Sequence, residues 1–355
     1  MSFPKKTDVS IPHEQPSGGV HTQLSELSPA YFGMAMATGI VSLGTQLVGL
    51  NSIANALFLL NIIAYTTLLI LTVLRMSLYP RRFFGDMTDH LRGSGFFTTI
   101  AATGILGSQF ILLKSNYFVG AIFLVVAVLL WVGLTYTIFA SFTIKEEKPT
   151  LDKGISGAWL LIAILSALLA EHVGQPGKLE MNFLALSMWL WGGMLYIWMM
   201  SLIFYRYTFF PFSPADLSPP YWINMGAMAI STLAGSLLII NVPHAPYLAS
   251  LLPFIKGFTV FYWVTGTWWI PMLLILGIWR HVYKRFPLKY DPLYWGAVFP
   301  LGMYAVSTGR MSQAMGFDFL WFLAPVFLCI ALLAWTMTFS GLVKDLLRRA
   351  RAFRV

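Results

Sequence analysis

Charged side chains are scarce here: Asp, Glu, Lys and Arg make up 10% of the 355 residues, against roughly 25% in an ordinary soluble domain. So few polar groups cannot cover a water-facing surface when 57% of the chain is hydrophobic and the mean hydropathy is +0.72. A soluble globular protein is excluded. Cysteine is scarcer still, and a single Cys329 rules out an intrachain disulfide or a cysteine-based metal cluster. The apolar runs lack the polar–apolar alternation of membrane strands. Their interiors also lack the buried acids and bases that proton pumps and ion-coupled carriers usually keep at depth. No His-Glu-x-x-His occurs, and the six histidines lie in loops or at run ends. An intramembrane enzyme, a metal site and a cofactor are therefore not expected.

Apolar length is what the chain has. Ten segments are expected to span as helices: 29–49, 53–74, 95–113, 117–142, 155–172, 181–205, 220–241, 257–279, 293–312 and 318–343. Each comes near the ~20 residues that cross about 30 Å of hydrocarbon, and helices are required because lipid satisfies no backbone hydrogen bond. Residues 1–28 are polar and rich in Pro and Gly, with no signal-type apolar run; they are expected to be a disordered cytoplasmic tail. Residues 29–343 form the transmembrane domain and 344–355 a basic cytoplasmic C-terminal tail. The net charge of +9 sets topology rather than binding nucleic acid. Nineteen Lys and Arg fall on the side that carries both termini, and only Lys114, Lys178, Lys256 and Arg310 fall on the other. That bias puts both termini in the cytoplasm, and the chain is expected in a plasma membrane, namely a bacterial inner membrane.

The odd and even segments differ in composition. Gly, Ala, Ser and Thr fill 44 of 100 positions in twenty-residue windows on the odd segments and 26 of 100 on the even ones, where Leu, Phe, Trp and Met dominate. Small residues permit close helix approach, whereas bulky apolar ones suit lipid. The expected architecture is all-α and polytopic: five helical hairpins, with an inner ring of odd helices around a pore and an outer ring of even ones. Ala37-Thr38-Gly39-Ile40-Val41 and Ala102-Thr103-Gly104-Ile105-Leu106 repeat one another within it. Plain helix packing by small-xxx-small patterns is the competing reading of each segment taken singly.

A pore without buried acids suits anions better than cations. Gly33, Thr38, Gly39, Thr103, Gly104, Pro300 and Gly302 are the candidate lining or kink positions. The ninth segment runs Tyr294-Trp295-Gly296-Ala297-Val298-Phe299-Pro300-Leu301-Gly302. A Phe ahead of a mid-helix Pro is unusual, because the ring disfavours the helical conformation of the residue before it. Phe299 reads either as an aromatic stopper projected into a channel or as an ordinary core ring. At about 100° per residue, Arg310 lies about 20° round from Phe299 and roughly 16 Å further along, with Met303 and Val306 within about 40° of the same line. Arg310 is then either an anion-attracting group at the outer mouth or a snorkelling arginine. Glu171 and His172 are a possible proton relay or a solvated helix end.

Tyr31-Phe32-Gly33-Met34-Ala35-Met36-Ala37-Thr38-Gly39-Ile40 resembles the first-span motif of the tellurite-resistance/dicarboxylate transporter family. That family spans bacterial TehA, plant guard-cell slow anion channels, yeast malate permeases and yeast sulfite exporters. Tyr294 to Leu301 resembles the family's ninth span, in which a phenylalanine at the position of Phe299 plugs the anion channel. The resemblance implies a homotrimer of ten-helix protomers, each with its own pore, and no enzymatic cofactor. It implies an anion channel or transporter gated by phenylalanine. The alternative is a carrier of malate, other C4-dicarboxylates or sulfite, proton-coupled and linked to tellurite resistance.

Overall fold

Apolar periodicity of the helical kind governs what folds here. The computed structural model describes residues 20–145, 160–170, 172–173, 177–211, 213–214, 217, 222–287 and 290–352, and no strand occurs among them. Ten helices carry the bulk of the chain: α1 (Phe32–Leu47), α2 (Asn51–Leu78), α3 (Phe97–Lys114), α4 (Tyr117–Ile144) and α5 (Leu160–Ala170), then α6 (Gly177–Phe209), α7 (Ile223–Ile240), α8 (Pro246–Ile278), α9 (Trp295–Met315) and α10 (Leu323–Ala352). Six of them, α2, α3, α4, α6, α8 and α10, are long and apolar enough to cross a membrane. The shorter α5 and α7 are apolar as well.

The two compositional classes fold into two burial classes. On α2 the buried residues Ala54, Leu57, Phe58, Asn61, Tyr65 and Leu68 follow the three-and-four spacing of a single face, and the other face exposes Leu59, Ile63 and Ile70. α1, α3, α5 and α9 are buried over nearly their whole length. Helix pairs α1/α2, α3/α4, α5/α6, α7/α8 and α9/α10 pack on one another, and contacts also join α1 to α3, α3 to α5, α5 to α7, α7 to α9 and α9 to α1.

Close approach explains the glycines. A Cβ on Gly39 would lie 2.3 Å from Ile105 of α3, and one on Gly226 would lie 2.9 Å from the Pro300 ring, so α7 meets α9 over the proline. Pro300 removes one backbone donor, yet α9 continues through it to Met315.

Boundaries depart from expectation where local chemistry intervenes. α8 starts at Pro246 rather than 257, because extended Ala245 caps it and proline's fixed φ suits the first helical position. α10 runs on past 343 to Ala352, supported by an Arg349–Asp345 pair one turn apart. Within the stretch expected to be a disordered tail, Val20–Ser25 is helical. Its end is held by the last turns of α2 and the segment that follows: Arg75 Nε donates to the Ser25 carbonyl, Arg82 to the Ser25 hydroxyl and Arg92 to the Glu26 carbonyl. Arg75 itself is only 2% exposed and pairs with Asp86 at 2.6 Å. Residues 1–19 and 353–355 lie outside the described residues.

Candidate functional site

Helices α1 and α9 start with the same local device. Ser28 caps a 3-10 turn over Pro29–Tyr31 that leads into α1, and Asp291 caps one over Pro292–Tyr294 that leads into α9, each side chain accepting from a backbone N–H two residues on. Proline pre-sets the turn, and the next aromatic, Phe32 or Trp295, is 1% exposed. Burial pushes the Tyr290 phenol beside Trp295 up to about 12.

At the other end of the same helices lies a narrow cavity of about 20 Å³, room for about one water. It is lined by Leu43, Gln46 and Leu47 of α1, Ile105, Ser108 and Leu112 of α3, Ile164 and Leu168 of α5, Leu233 and Leu237 of α7, and Val306 and Arg310 of α9. The lining comes from the middle and C-terminal parts of all five helices, so they run in one direction. Arg310 is the only charged group among the described lining residues, and its guanidinium also donates to Gln313. Gln46 donates to the Leu112 carbonyl and Ser108 to the Gly104 carbonyl.

The structure brings Val306 and Arg310 together on this cavity. Phe299 is 1% exposed on α9, two turns and about 10 Å below Val306 on the same helical face; Met303 between them is fully buried. Other sequence candidates meet neighbouring helices. The Thr38 hydroxyl accepts from Trp335 Nε1 of α10 at 3.0 Å, and Tyr65 of α2 meets the Thr103 hydroxyl at 2.8 Å. Gly33 faces Trp295, Gly39 faces Ile105 and Asn61, Gly104 faces Leu161, and Gly302 faces Ile40 and Val41. His172 stacks on Tyr117 with ring centroids 3.4 Å apart, while Glu171 lies outside the described residues.

Sequence reasoning missed Gln46 and Ser108. Their signal was a polar residue placed on the helical line of Leu43 and of Ile105, legible only once those leucine and isoleucine faces are known to meet. Asn61 of α2 bridges to α3 by donating from its amide to Gln109 Oε1 at 2.6 Å.

A family described as voltage-dependent anion channel, SLAC1, matches residues 26–343. The chain belongs to this family. Its relatives share the membrane setting. An uncharacterized membrane protein of Mycobacterium tuberculosis (strain ATCC 25618 / H37Rv) is 39% identical over 152 residues, covering 43% of this chain and 77% of its own. An uncharacterized transporter of Methanocaldococcus jannaschii is 26% identical over 84% of this chain and 89% of its own. A sulfite efflux pump of Trichophyton rubrum is 22% identical over 89% of this chain and 90% of its own. This SLAC1-family chain is thus a member of the tellurite-resistance/dicarboxylate transporter group expected from its first and ninth segments, a family of membrane transporters and channels.

Proposed function

We propose that the chain is a channel-type conduit for small anions. In this reading α1, α3, α5, α7 and α9 form an inner ring around the path, the even helices enclose it as the outer half of five hairpins, and Phe299 stoppers it. One observation carries the reading: the cavity draws its lining from all five odd helices, and Phe299 shares a face of α9 with two of those lining residues. Seven positions below a lining residue on each helix stand Met36, Ala101, Leu161, Ile230 and Phe299, all buried. Two helical turns, about 10 Å, separate the two layers. Phe299 is the one aromatic of that lower layer. Charge enters such an apolar constriction only at high cost, because nothing there replaces its water.

Arg310 raises the local anion concentration at the outer end. Both termini face the cytoplasm of a bacterial inner membrane, as the distribution of Lys and Arg indicates. Three protomers associate, each keeping its own path inside its odd helices, while the exposed outer helices face lipid or a neighbour.

Anion flux into liposomes tests the gate. Phe299→Ala is expected to raise flux at least about tenfold, equivalent to removing ~1.4 kcal/mol of barrier. Unchanged flux from a correctly folded variant would remove Phe299 from the path.

The sulfite efflux pump of Trichophyton rubrum favours a second reading, a carrier for sulfite or C4-dicarboxylates coupled to protons through Glu171 and His172. Saturable turnover that follows the pH gradient, with no single-channel openings, would select it over the channel.

A further inference from the structure

A polar cleft opens beside the end of α2, and nothing in the proposed path uses it. We propose that this cleft binds the phosphodiester headgroup of an anionic lipid, gripped by the Arg82 and Arg92 guanidiniums. Of the reading above it needs only the membrane crossing of α2.

Position comes first. α2 has 28 residues, more than the ~20 that cross hydrocarbon, so its last two turns reach the headgroup layer. Met76 and Leu78 are exposed there. The Pro80–Thr88 helix follows, with Phe83, Asp86 and Met87 buried on one face and Arg81, Arg82 and Phe84 exposed on the other. An exposed ring beside exposed guanidiniums suits the boundary between acyl chains and headgroups. Between this helix and the end of the Val20–Ser25 turn lies an open cleft of about 460 Å³, lined by Ser25, Glu26, Arg82, Gly85, Asp86 and Arg92. One water needs only ~10–15 Å³, so a whole headgroup fits.

The floor of the cleft is built from buried polar groups. Arg75 and Arg92 each take one oxygen of the Asp86 carboxylate, at 2.6 and 3.1 Å, and Asp86 thereby orients the cations. Arg82 donates to the Ser25 hydroxyl and Arg92 to the Glu26 carbonyl. Consecutive residues thus anchor the two guanidiniums side by side, within reach of one phosphate. Each guanidinium has five N–H donors; these contacts occupy one on Arg82 and two on Arg92. Arginine forks grip phosphate oxygens two at a time. Charge then selects the ligand. Among the described residues of the cleft and its floor, three arginines stand against Asp86 and Glu26, leaving one positive charge. A phosphodiester carries one negative charge, whereas a zwitterionic headgroup brings its own cation.

The test titrates the full chain, purified in neutral detergent, with dioleoylphosphatidylglycerol or dioleoylphosphatidylcholine and reads the unfolding temperature. The anionic lipid is expected to raise it well above the rise given by the zwitterionic one. R82Q is expected to raise the half-saturating concentration of the anionic lipid about fivefold. R82K, which keeps the charge and loses the fork, should fall between R82Q and the native chain. R81Q, on the same helix but outside the cleft, should leave the titration unchanged. Should R82Q fail to fold, R82K against R81Q carries the comparison. Equal shifts by the two lipids, or equal losses from R81Q and R82Q, overturn the site, because the attraction then belongs to apolar surface or to charge in general. Inorganic phosphate or glycerol phosphate reproducing the whole shift, with Phe84→Ser indifferent, overturns the lipid and makes the occupant a free phosphate. Detergent has no leaflets and carries no flux, so these outcomes stand apart from the orientation of the chain and from the role of Phe299.

Discussion

Single residues in this protein act mainly through what they touch on the next helix. Gly39 is the sharpest case: an added Cβ would lie 2.3 Å from Ile105 and 2.7 Å from the Asn61 amide, which itself bonds Gln109. Gly39→Ala is expected to cost about 1–3 kcal/mol through overpacking, read as a lower unfolding temperature in detergent. Gly133→Ala is the control, since nothing lies within 4 Å of a Cβ there. Equal melting of the two variants would mean that α1 and α3 shift apart freely. The repeated Ala-Thr-Gly triplets were visible in the sequence, but their role was not. Thr38 and Thr103 sit in matching letters and both bond an aromatic on an outer helix, Trp335 and Tyr65. A hydroxyl facing water and one facing a tryptophan have the same sequence signature, because the signature records the residue and not its partner.

Whole elements show where charge is tolerated. Four arginines follow or end α2, and the sequence places all of them in a solvated loop. Arg75 instead lies inside the last turns of α2 at 2% exposure, pairs with Asp86, and takes the carbonyl of Ser25 as a second acceptor. Asp86 is shared with Arg92 at 3.1 Å. This cluster joins α2, the Pro80–Thr88 helix and the N-terminal turn Val20–Ser25 into one unit. Removing one partner of a buried pair leaves the other charge uncompensated, so Asp86→Ala is expected to destabilise by about 3–5 kcal/mol. Proteolysis near residue 25 should speed up in step with the drop in melting temperature. A variant with wild-type melting and unchanged cleavage would show the pair to be dispensable. Helix ends were the least legible elements: α8 begins eleven residues before its expected start, since Pro246 reads as a breaker until Ala245 is seen to cap the turn ahead of it.

At the scale of the molecule, the proposed ring makes a prediction about access. In a Cys329→Ser background, cysteines at positions 43, 108, 168, 237 and 306 are expected to react with a small charged thiol reagent added from outside. Cysteines at 36, 101, 161 and 230, two turns deeper, should react far more slowly until the stopper is removed by Phe299→Ala. Uniform protection at the upper layer, or equal labelling of exposed Leu59 and Leu129 on the outer helices, would dismantle the ring. The small-residue contrast between odd and even segments anticipated which helices are buried, because burial against other helices demands close approach while lipid does not.

Several properties of this protein follow from its sequence alone: helical, membrane-embedded, ten apolar segments, and a family likeness carried by two short motifs. Each is a local property, set by how many apolar residues run together and by the backbone's need to satisfy its own hydrogen bonds. Tertiary structure alone decided which side of each helix meets which neighbour. It turned Gln46, Ser108 and Arg310 onto one cavity and directed Thr38, Gly39 and Thr103 onto packing surfaces instead. The physical reason is that a helix rotates about its own axis without changing its composition. Only the shapes pressed against it, such as Pro300 against Gly226, select the angle.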